Sequence, residues 1–356
     1  MRIMNFSSLL TSSFLLAGFT AFILTFVLVL LALWLFPKLK LMDRPERYGL
    51  TRKAIPYYGG IMMFVSFLIC VFLFIPLTKP FIGVLVALTL IVGMSFADDR
   101  WMLPPKFRLM GQVFAGLIVV AFGIGIRSFT NPFGGVVLLD QIQFHLFGSE
   151  ILVLGAIFTI LWIVFVVNSM NFFDGVPGLL SGVSCLAFFV LCLLSLRTGQ
   201  VIDQTQLVYM SLILAGIAGA FLVFDFPMPK ILMGDTGSMF LGFLLAVSAI
   251  FSGGKVATVL IVLGFPLLDA LWSIMRRILS GQSPFKGDLN HLHHRFLKSG
   301  YSERQVVLIM YAISAFFGGL ALFLTSFQKM IAIGAIVFSM ILLSILLFFR
   351  RKRSSV

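Results

Sequence analysis

Residues 81–100 read FIGVLVALTLIVGMSFADDR, a run of 17 uncharged residues that ends in two aspartates and an arginine. A helix needs about 20 apolar residues to cross the hydrocarbon core of a bilayer, so this run predicts a membrane helix with acids at its end. Ten further apolar runs of comparable length lie near residues 14–36, 57–76, 109–125, 151–167, 178–196, 206–224, 238–253, 256–272, 305–325 and 330–349. The sequence therefore predicts an all-α polytopic membrane protein with about 11 transmembrane helices.

The composition excludes most other protein classes. Hydrophobic residues make up 60% of the 356 residues and charged residues only 11%, whereas soluble domains are about half apolar and about a quarter charged. A soluble enzyme, a disordered chain, a collagen and a coiled coil are therefore all excluded. No soluble domain or internal repeat is evident, so we interpret residues 1–356 as a single integral-membrane domain.

Eleven spans divide the connecting loops into two sets, and the basic residues are shared unequally between them. One set, together with the C-terminal tail, contains 20 Lys and Arg residues, and the other contains 6. The positive-inside rule places the more basic set in the cytoplasm, so we expect the C-terminus in the cytoplasm and the N-terminus outside. Because the net charge of +13 lies in short loops between membrane helices, no nucleic-acid partner is expected.

Nine of the 13 acidic residues fall on the same side as the basic loops. Ionisable groups near membrane depth are costly and usually functional, so this concentration of acids predicts an active site that faces the cytoplasm. The segments expected to form it are 37–56, 98–108, 168–177, 225–238 and 273–304.

Two kinds of position carry the acids. Asp98 and Asp99 end the third predicted helix, where the helix dipole disfavours an acid by about 0.3–1 kcal/mol. A bound cation or a proton-transfer role explains them, and a solvated loop beside Arg100 is the alternative.

Asp174 and Asp235 lie beside glycines where helices begin, which suits either a helix N-cap or a phosphate site. Several acids and helix ends on one face suit Mg²⁺ bound to a diphosphate.

The last long loop contains three of the four histidines within five residues, in the order His291, His293, His294 and then Arg295. A zinc site would lack cysteine ligands, and a solvated basic loop remains an alternative. Contact with phosphate is the better interpretation, since arginine can bind phosphate through two parallel hydrogen bonds.

Six segments together match a known pattern: IPYYGG (55–60), ADDR (97–100), NSMNFFDGVPG (168–178), MGDTGS (233–238), PLLD (266–269) and SPFKGDLNHLHHR (283–295). In these segments and their order the chain resembles the polyprenyl-phosphate N-acetylhexosamine-1-phosphate transferase superfamily, on the branch of bacterial undecaprenyl-phosphate GlcNAc-1-phosphate transferases (glycosyltransferase family 4). The resemblance extends from about residue 37 to residue 304.

The resemblance implies a reaction in the bacterial inner (plasma) membrane. Undecaprenyl phosphate attacks the β-phosphate of a cytosolic UDP-N-acetylhexosamine, with GlcNAc the first expectation, and UMP leaves. The product is a lipid-diphosphate-sugar that starts a cell-envelope glycopolymer. Whether the attack is direct or passes through a covalent enzyme intermediate stays open, as does the oligomeric state, with a homodimer among the alternatives.

The resemblance also implies roles for individual residues. The expected metal ligands for Mg²⁺, or alternatively Mn²⁺, are Asp235, Asn171 and Asp225. The expected catalytic residues are Asp98, Asp99 and Asp174. The expected substrate-binding residues are Lys53, Asn168, Asn171, His291, His293, His294 and Arg295.

Two departures from the family pattern concern the second and third segments. Relatives usually carry an aspartate where this chain has Pro177, and an asparagine where it has Asp225, so the extra carboxylate could partly replace the lost one. Two other functions remain open from the sequence. One is the phospho-MurNAc-pentapeptide transferase of peptidoglycan synthesis. The other is a secondary transporter, which would place its acids near the bilayer midplane and not at one surface.

Overall fold

The computed structural model describes residues 12–48, 52–131, 135–146, 148–196, 204–251, 256–282 and 291–354. Within these ranges the chain forms thirteen α-helices: α1 (Ser12–Lys38), α2 (Gly59–Phe74), α3 (Lys79–Trp101), α4 (Pro105–Ala121), α5 (Val153–Phe173), α6 (Leu179–Ser195), α7 (Thr205–Asp225), α8 (Gly234–Phe251), α9 (Val256–Val262), α10 (Gly264–Leu279), α11 (Leu292–Lys298), α12 (Glu303–Ala321) and α13 (Ser326–Ser354). Four short strands form two antiparallel hairpins between α4 and α5: β1 (Ser128–Thr130) with β2 (Val136–Leu138), and β3 (Gln143–Leu146) with β4 (Ser149–Leu152).

The prediction of an all-α polytopic membrane protein is confirmed, and each predicted apolar run contains a helix. Seven described helices are long and apolar enough to cross a membrane, or eight if α9 and α10 count together. The helices α2 and α6 have 16 and 17 residues, which corresponds to about 24–26 Å at 1.5 Å per residue. The predicted count of 11 is therefore not confirmed, and the sides of the two termini stay predictions.

The ninth apolar run, 256–272, is not one straight helix. The chain bends by 88° between α9 and α10, at Leu263. Gly264 and Pro266 follow this residue, and proline removes a backbone donor and clashes with the carbonyl four residues earlier. Glycine and proline are the usual causes of such a bend.

The hairpins between α4 and α5 were not predicted from the sequence. They lie at the opposite end of α5 from Asp174, and β4 continues directly into α5. All three residues of β2 are exposed.

The helix α8 forms the centre of the bundle, and nearly all of its residues are buried. Glycines allow its neighbours to approach closely: a Cβ atom on Gly60 of α2 would lie 2.2 Å from the backbone nitrogen of Gly237. A Cβ atom on Gly242 would lie 3.0 Å from Val167 of α5. The N-terminus of α8, which carries Asp235, is therefore held against α2, and the middle of α8 is held against α5.

Candidate active site

One end of the bundle collects the loops in which the sequence places the site. The ends of α3, α5 and α7 meet the starts of α4, α6 and α8 there, and a cavity of about 290 Å³ opens between them. Its charged lining residues are Lys40, Asp43, Arg44, Asp98, Asp99, Arg100, Arg108 and Asp235. Of the predicted segments, residues 49–51 and 283–290 lie outside the described part of the chain.

Arg108, in the first turn of α4, connects three other helices. Its Nε atom lies 3.0 Å from Asp98 Oδ2, and a terminal nitrogen lies 3.2 Å from Asp235 Oδ2. The same nitrogen donates a hydrogen bond of 3.0 Å to Asn171 Oδ1. One guanidinium therefore joins α3, α5 and α8 beside the cavity.

Asp98, in the last turn of α3, is almost completely buried. Its Oδ1 accepts a hydrogen bond of 2.7 Å from the backbone nitrogen of Leu103. Its Oδ2 forms the ion pair of 3.0 Å with Arg108 Nε. The buried carboxylate is therefore held at both oxygens and lines the cavity beside Asp99.

Asp99 points to α8 and not to Arg108. Its two oxygens accept hydrogen bonds of 3.0 Å from the backbone nitrogens of Asp235 and Thr236. The hydroxyl of Thr236 donates a further bond of 2.6 Å, and that of Tyr57 one of 3.0 Å. Such bonding is typical of a helix N-cap, supplied here by a neighbouring helix.

Asn171 and Asn168 lie one turn apart on α5 but have different surroundings. The Asn171 amide nitrogen donates hydrogen bonds of 2.8 Å to Asp235 Oδ1 and to Ser238 Oγ. Asn168 bonds the side chain of Gln112 on α4 at 2.5 Å. The structure therefore joins Asn171 to Asp98 and Asp235, the two acids that contact Arg108, and we call this group the carboxylate cluster. Asn168 instead serves a contact between two helices.

Asp174 follows the end of α5 and is half-buried. No described residue donates a hydrogen bond to its carboxylate. Burial, together with the nearby carboxylates of Asp225, Asp235 and Asp99, raises its pKa well above the usual range. A cation beside this group would relieve that repulsion.

Asp225, the last residue of α7, is also buried. It accepts a hydrogen bond of 2.7 Å from Ser181 Oγ in the first turn of α6, and the backbone N–H of Gly178 also interacts with it. Its predicted role as a metal ligand stays a prediction, because the described contacts of this carboxylate are with α6.

His291 is fixed by a carboxylate that the sequence analysis did not assign to the site. Its Nδ1 lies 2.8 Å from Asp269 Oδ2, and the backbone nitrogen of Leu292 donates to Asp269 Oδ1 at 2.9 Å. Asp269 lies on α10 and is buried, as is His291. The ring of His291 also stacks on Phe172, with ring centres 5.6 Å apart.

His293 is 1% exposed, and neither ring nitrogen has a hydrogen-bond partner among the described residues. Burial and the neighbouring His294 and His291 lower its pKa to about 3, so the ring is neutral. It packs against the turn after α5, where a Cβ atom on Gly175 would lie 2.2 Å from its Nε2.

Arg295 and Lys53 are not directed to the carboxylate cluster. The guanidinium of Arg295 donates hydrogen bonds of 2.8 and 2.9 Å to the side chain and backbone of Ser344 on α13. The exposed Lys53 is not among the residues that line the cavity. His294, half-buried, lies beside His293 with ring centres 4.3 Å apart.

Sequence reasoning missed two residues of this site. Arg108 was counted only as a loop cation, although it follows Pro104 and Pro105 by four and three residues, and proline here signals the first turn of a helix. Asp269 lies in the matching segment PLLD, but no role was predicted for it. An acid within an apolar run is itself a signal of function.

Residues 81–253 match the sequence profile of glycosyl transferase family 4. A decaprenyl-phosphate N-acetylglucosaminephosphotransferase of Mycobacterium leprae (strain TN) is 34% identical over 328 residues, which cover 83% of this chain and 80% of the relative. The chain belongs to glycosyl transferase family 4. The resemblance inferred from the six segments is thereby confirmed.

Two more distant relatives have the same kind of name. A probable undecaprenyl-phosphate N-acetylglucosaminyl 1-phosphate transferase of Bacillus subtilis (strain 168) is 28% identical over 296 residues, which cover 81% of this chain and 78% of the relative. An undecaprenyl-phosphate alpha-N-acetylglucosaminyl 1-phosphate transferase of Escherichia coli (strain K12) is 26% identical over 304 residues, covering 81% and 78%. This member of glycosyl transferase family 4 is thus similar to transferases of one kind from three bacteria.

Proposed function

We propose that this protein transfers N-acetylglucosamine 1-phosphate from UDP-GlcNAc to a polyprenyl phosphate in the bacterial inner membrane, releasing UMP. The relatives, all named for N-acetylglucosamine phosphate transfer to such a lipid, support the reaction and favour it over the MurNAc-pentapeptide and transporter alternatives. The lipid-diphosphate-sugar formed would start a cell-envelope glycopolymer.

The observation that carries the proposal is the cluster that Arg108 forms with Asp98, Asp235 and Asn171 beside the cavity. Both substrates are anionic, so phosphorus and nucleophile approach only if positive charge offsets their repulsion. Phosphoryl transfer depends mostly on such positioning and charge neutralisation. Three further cations, Lys40, Arg44 and Arg100, line the same cavity and suit its use by phosphates.

Mg²⁺ is the metal we propose, with Asp235 and Asn171 as its ligands. No group of three His, Cys, Asp or Glu residues in the described part of the chain could hold a metal alone. This fits Mg²⁺, which is usually bound by one or two carboxylates together with substrate phosphates. Asp98, Asp99 and Asp235 all line this cavity, and their negative charges also suit a bound cation here. Once bound, the ion would neutralise charge on the diphosphate.

Asp98 is proposed to orient the lipid phosphate. The second pKa of a phosphate monoester is near 6, so this nucleophile is largely dianionic at neutral pH and needs little help from a base. Asp98 is instead suited to hold the Arg108 guanidinium at a fixed place, where that cation can orient an anionic phosphate.

A groove between α10 and α13 suits the polyprenyl chain. It has a volume of about 670 Å³ and is lined almost entirely by apolar residues, among them Leu268, Trp272 and Met340. Ser344, which bonds Arg295, also lines this groove. Arg295 would therefore meet the lipid close to its phosphate and not the nucleotide diphosphate, as the sequence alone suggested.

The test combines purified protein, Mg²⁺, undecaprenyl or decaprenyl phosphate and single UDP-sugars, with UMP release as readout. We expect release with UDP-GlcNAc and a loss of activity in Asp235→Asn, because the amide lacks the charge to hold Mg²⁺. Asp140→Asn is the matched control, since it makes the same change at an exposed residue at the other end of the bundle. Absence of UMP with every UDP-N-acetylhexosamine would contradict the proposal.

A further inference from the structure

Asp99 and Asp225 share an unusual position: each lies at or near the C-terminal end of a helix that runs into the site. Asp99 is in the last turn of α3 and Asp225 is the last residue of α7. A carboxylate at a helix C-terminus is disfavoured by the partial negative charge there, whereas one at an N-terminus is favoured. Both side chains resolve this conflict by bonding the first turn of a different helix.

The first of these contacts is between Asp99 and α8. The backbone nitrogens of Asp235 and Thr236, which are the second and third residues of α8, both donate to this carboxylate at 3.0 Å. These are the donors that an N-cap side chain normally satisfies. One of them belongs to Asp235, so the bond also fixes the residue that faces Arg108.

The second contact is between Asp225 and α6. The residue before α6 is Gly178, which has φ of 82° and no side chain to cap the helix. Asp225 accepts a hydrogen bond of 2.7 Å from the Ser181 hydroxyl in the first turn, and the backbone N–H of Gly178 also interacts with it. The hydroxyl of Tyr311 on α12 donates to the backbone oxygen of Gly178. This bonding holds the short turn that begins with Asp174.

We propose that Asp99 and Asp225 are positioning residues, each accepting hydrogen bonds from the start of a neighbouring helix and thereby fixing a carboxylate of the site, Asp235 and Asp174 respectively. The inference deepens the proposed function and rests on it. Asp98 and Asp99 are then adjacent for two separate purposes, one to face the cavity and one to hold α8. Asp225 is then a structural acceptor and not a metal ligand.

Ser181→Ala separates the structural role of Asp225 from metal binding, because it removes the hydroxyl donor and leaves the carboxylate in place. We expect Asp225→Ala to lower kcat at least tenfold and Ser181→Ala to act in the same direction, without a change in the Mg²⁺ concentration that gives half-maximal rate. A raised half-maximal concentration in Asp225→Ala alone would make Asp225 a metal ligand and overturn its positioning role.

The concentration of Mg²⁺ that gives half-maximal rate tests Asp99. Because Asp99 acts through Asp235, Asp99→Ala, which removes the acceptor, should raise this concentration at least fivefold and recover part of kcat at saturating Mg²⁺. Thr236→Val, which removes the hydroxyl donor, should act in the same direction, and Thr236→Ser should restore the wild-type value. An unchanged half-maximal concentration with a lower kcat would instead make Asp99 a catalytic residue and overturn the proposal.

Thermal unfolding distinguishes a failure of this inference from a failure of the proposed function. The effects of Asp99→Ala and Thr236→Val on Tm should be non-additive, because both remove one interaction. This result is expected even if the wild-type protein releases UMP from no UDP-sugar. Fully additive effects would overturn the contact between α3 and α8 whatever the reaction is.

Discussion

Replacement of Arg108 by lysine tests the centre of the site. The guanidinium has three partners, with Asp98 at 3.0 Å, Asp235 at 3.2 Å and Asn171 at 3.0 Å. An ammonium group keeps the charge but lacks the planar fork, so one of these contacts is lost. A hydrogen bond to a charged group contributes about 1.5–3 kcal/mol, and about 1.4 kcal/mol corresponds to a tenfold change in rate. We therefore expect Arg108→Lys to lower kcat/KM by about 10- to 100-fold.

Arg108→Gln should be more damaging. It leaves Asp98, which is 6% exposed, near Asp235 without a compensating charge. Removing one partner of a buried ion pair costs about 3–5 kcal/mol, so we expect a lower Tm as well as a loss of kcat/KM of at least 100-fold. Both quantities can be measured in detergent, by UMP release from UDP-GlcNAc and by thermal unfolding.

Lys106→Gln is the control for these variants, because it removes an exposed cation from the same turn of α4. It should have little effect on either quantity. The reasoning would be refuted if Arg108→Lys had wild-type kcat/KM, or if Arg108→Gln were no more damaging than Lys106→Gln.

Three other predictions concern pH, stability and orientation. Asp98→Asn should lower kcat by the same factor at every pH, because Asp98 is proposed to orient the lipid phosphate. Recovery of kcat at high pH would indicate that Asp98 acts as a base instead. The pKa of His293 is lowered to about 3 from an unfolded value near 6.5, so the unfolded chain binds more protons between these values. Stability should therefore fall as pH decreases from about 6.5 to 3. The substitution His293→Gln should make Tm depend less on pH in this range. An unchanged pH dependence of Tm would show that His293 is not buried in neutral form. In cells, an external thiol reagent should label Val137→Cys in β2 but not Lys298→Cys in α11, and the opposite labelling would reverse the predicted topology.

The sequence was sufficient to find the residues of the carboxylate cluster but not their individual tasks. Asp98, Asn171 and Asp235 come together as expected, because the alternation of apolar runs and loops brings their helix ends to one face. Asp99 and Asp225 look the same as these in sequence. Whether a carboxylate at a helix end faces a cavity or a neighbouring helix depends on helix rotation and packing, which one sequence does not specify.

Two other features of the fold, the bend in the ninth apolar run and the hairpins, correspond to local patterns in the sequence. Gly264 and Pro266 within the ninth apolar run indicate the bend between α9 and α10. Short apolar stretches around Gly135 and Gly148 are typical of hairpins, as found for β1–β4. Arg295 is a different case, since its contact with Ser344 depends on how α13 packs against α11, and no local pattern encodes that.

The bend between α9 and α10 sets the direction of α10, which contacts both the apolar groove against α13 and His291. Leu268 of α10 lines the groove, and the next residue, Asp269, holds His291. Any tilt of α10 about Leu263 therefore moves both contacts at once. If the polyprenyl chain proposed for this groove changes the tilt and with it the affinity for the nucleotide-sugar, thermodynamic reciprocity requires the nucleotide-sugar to change the lipid affinity by the same factor. The two substrates would then bind cooperatively, with the coupling carried by the orientation of one short helix.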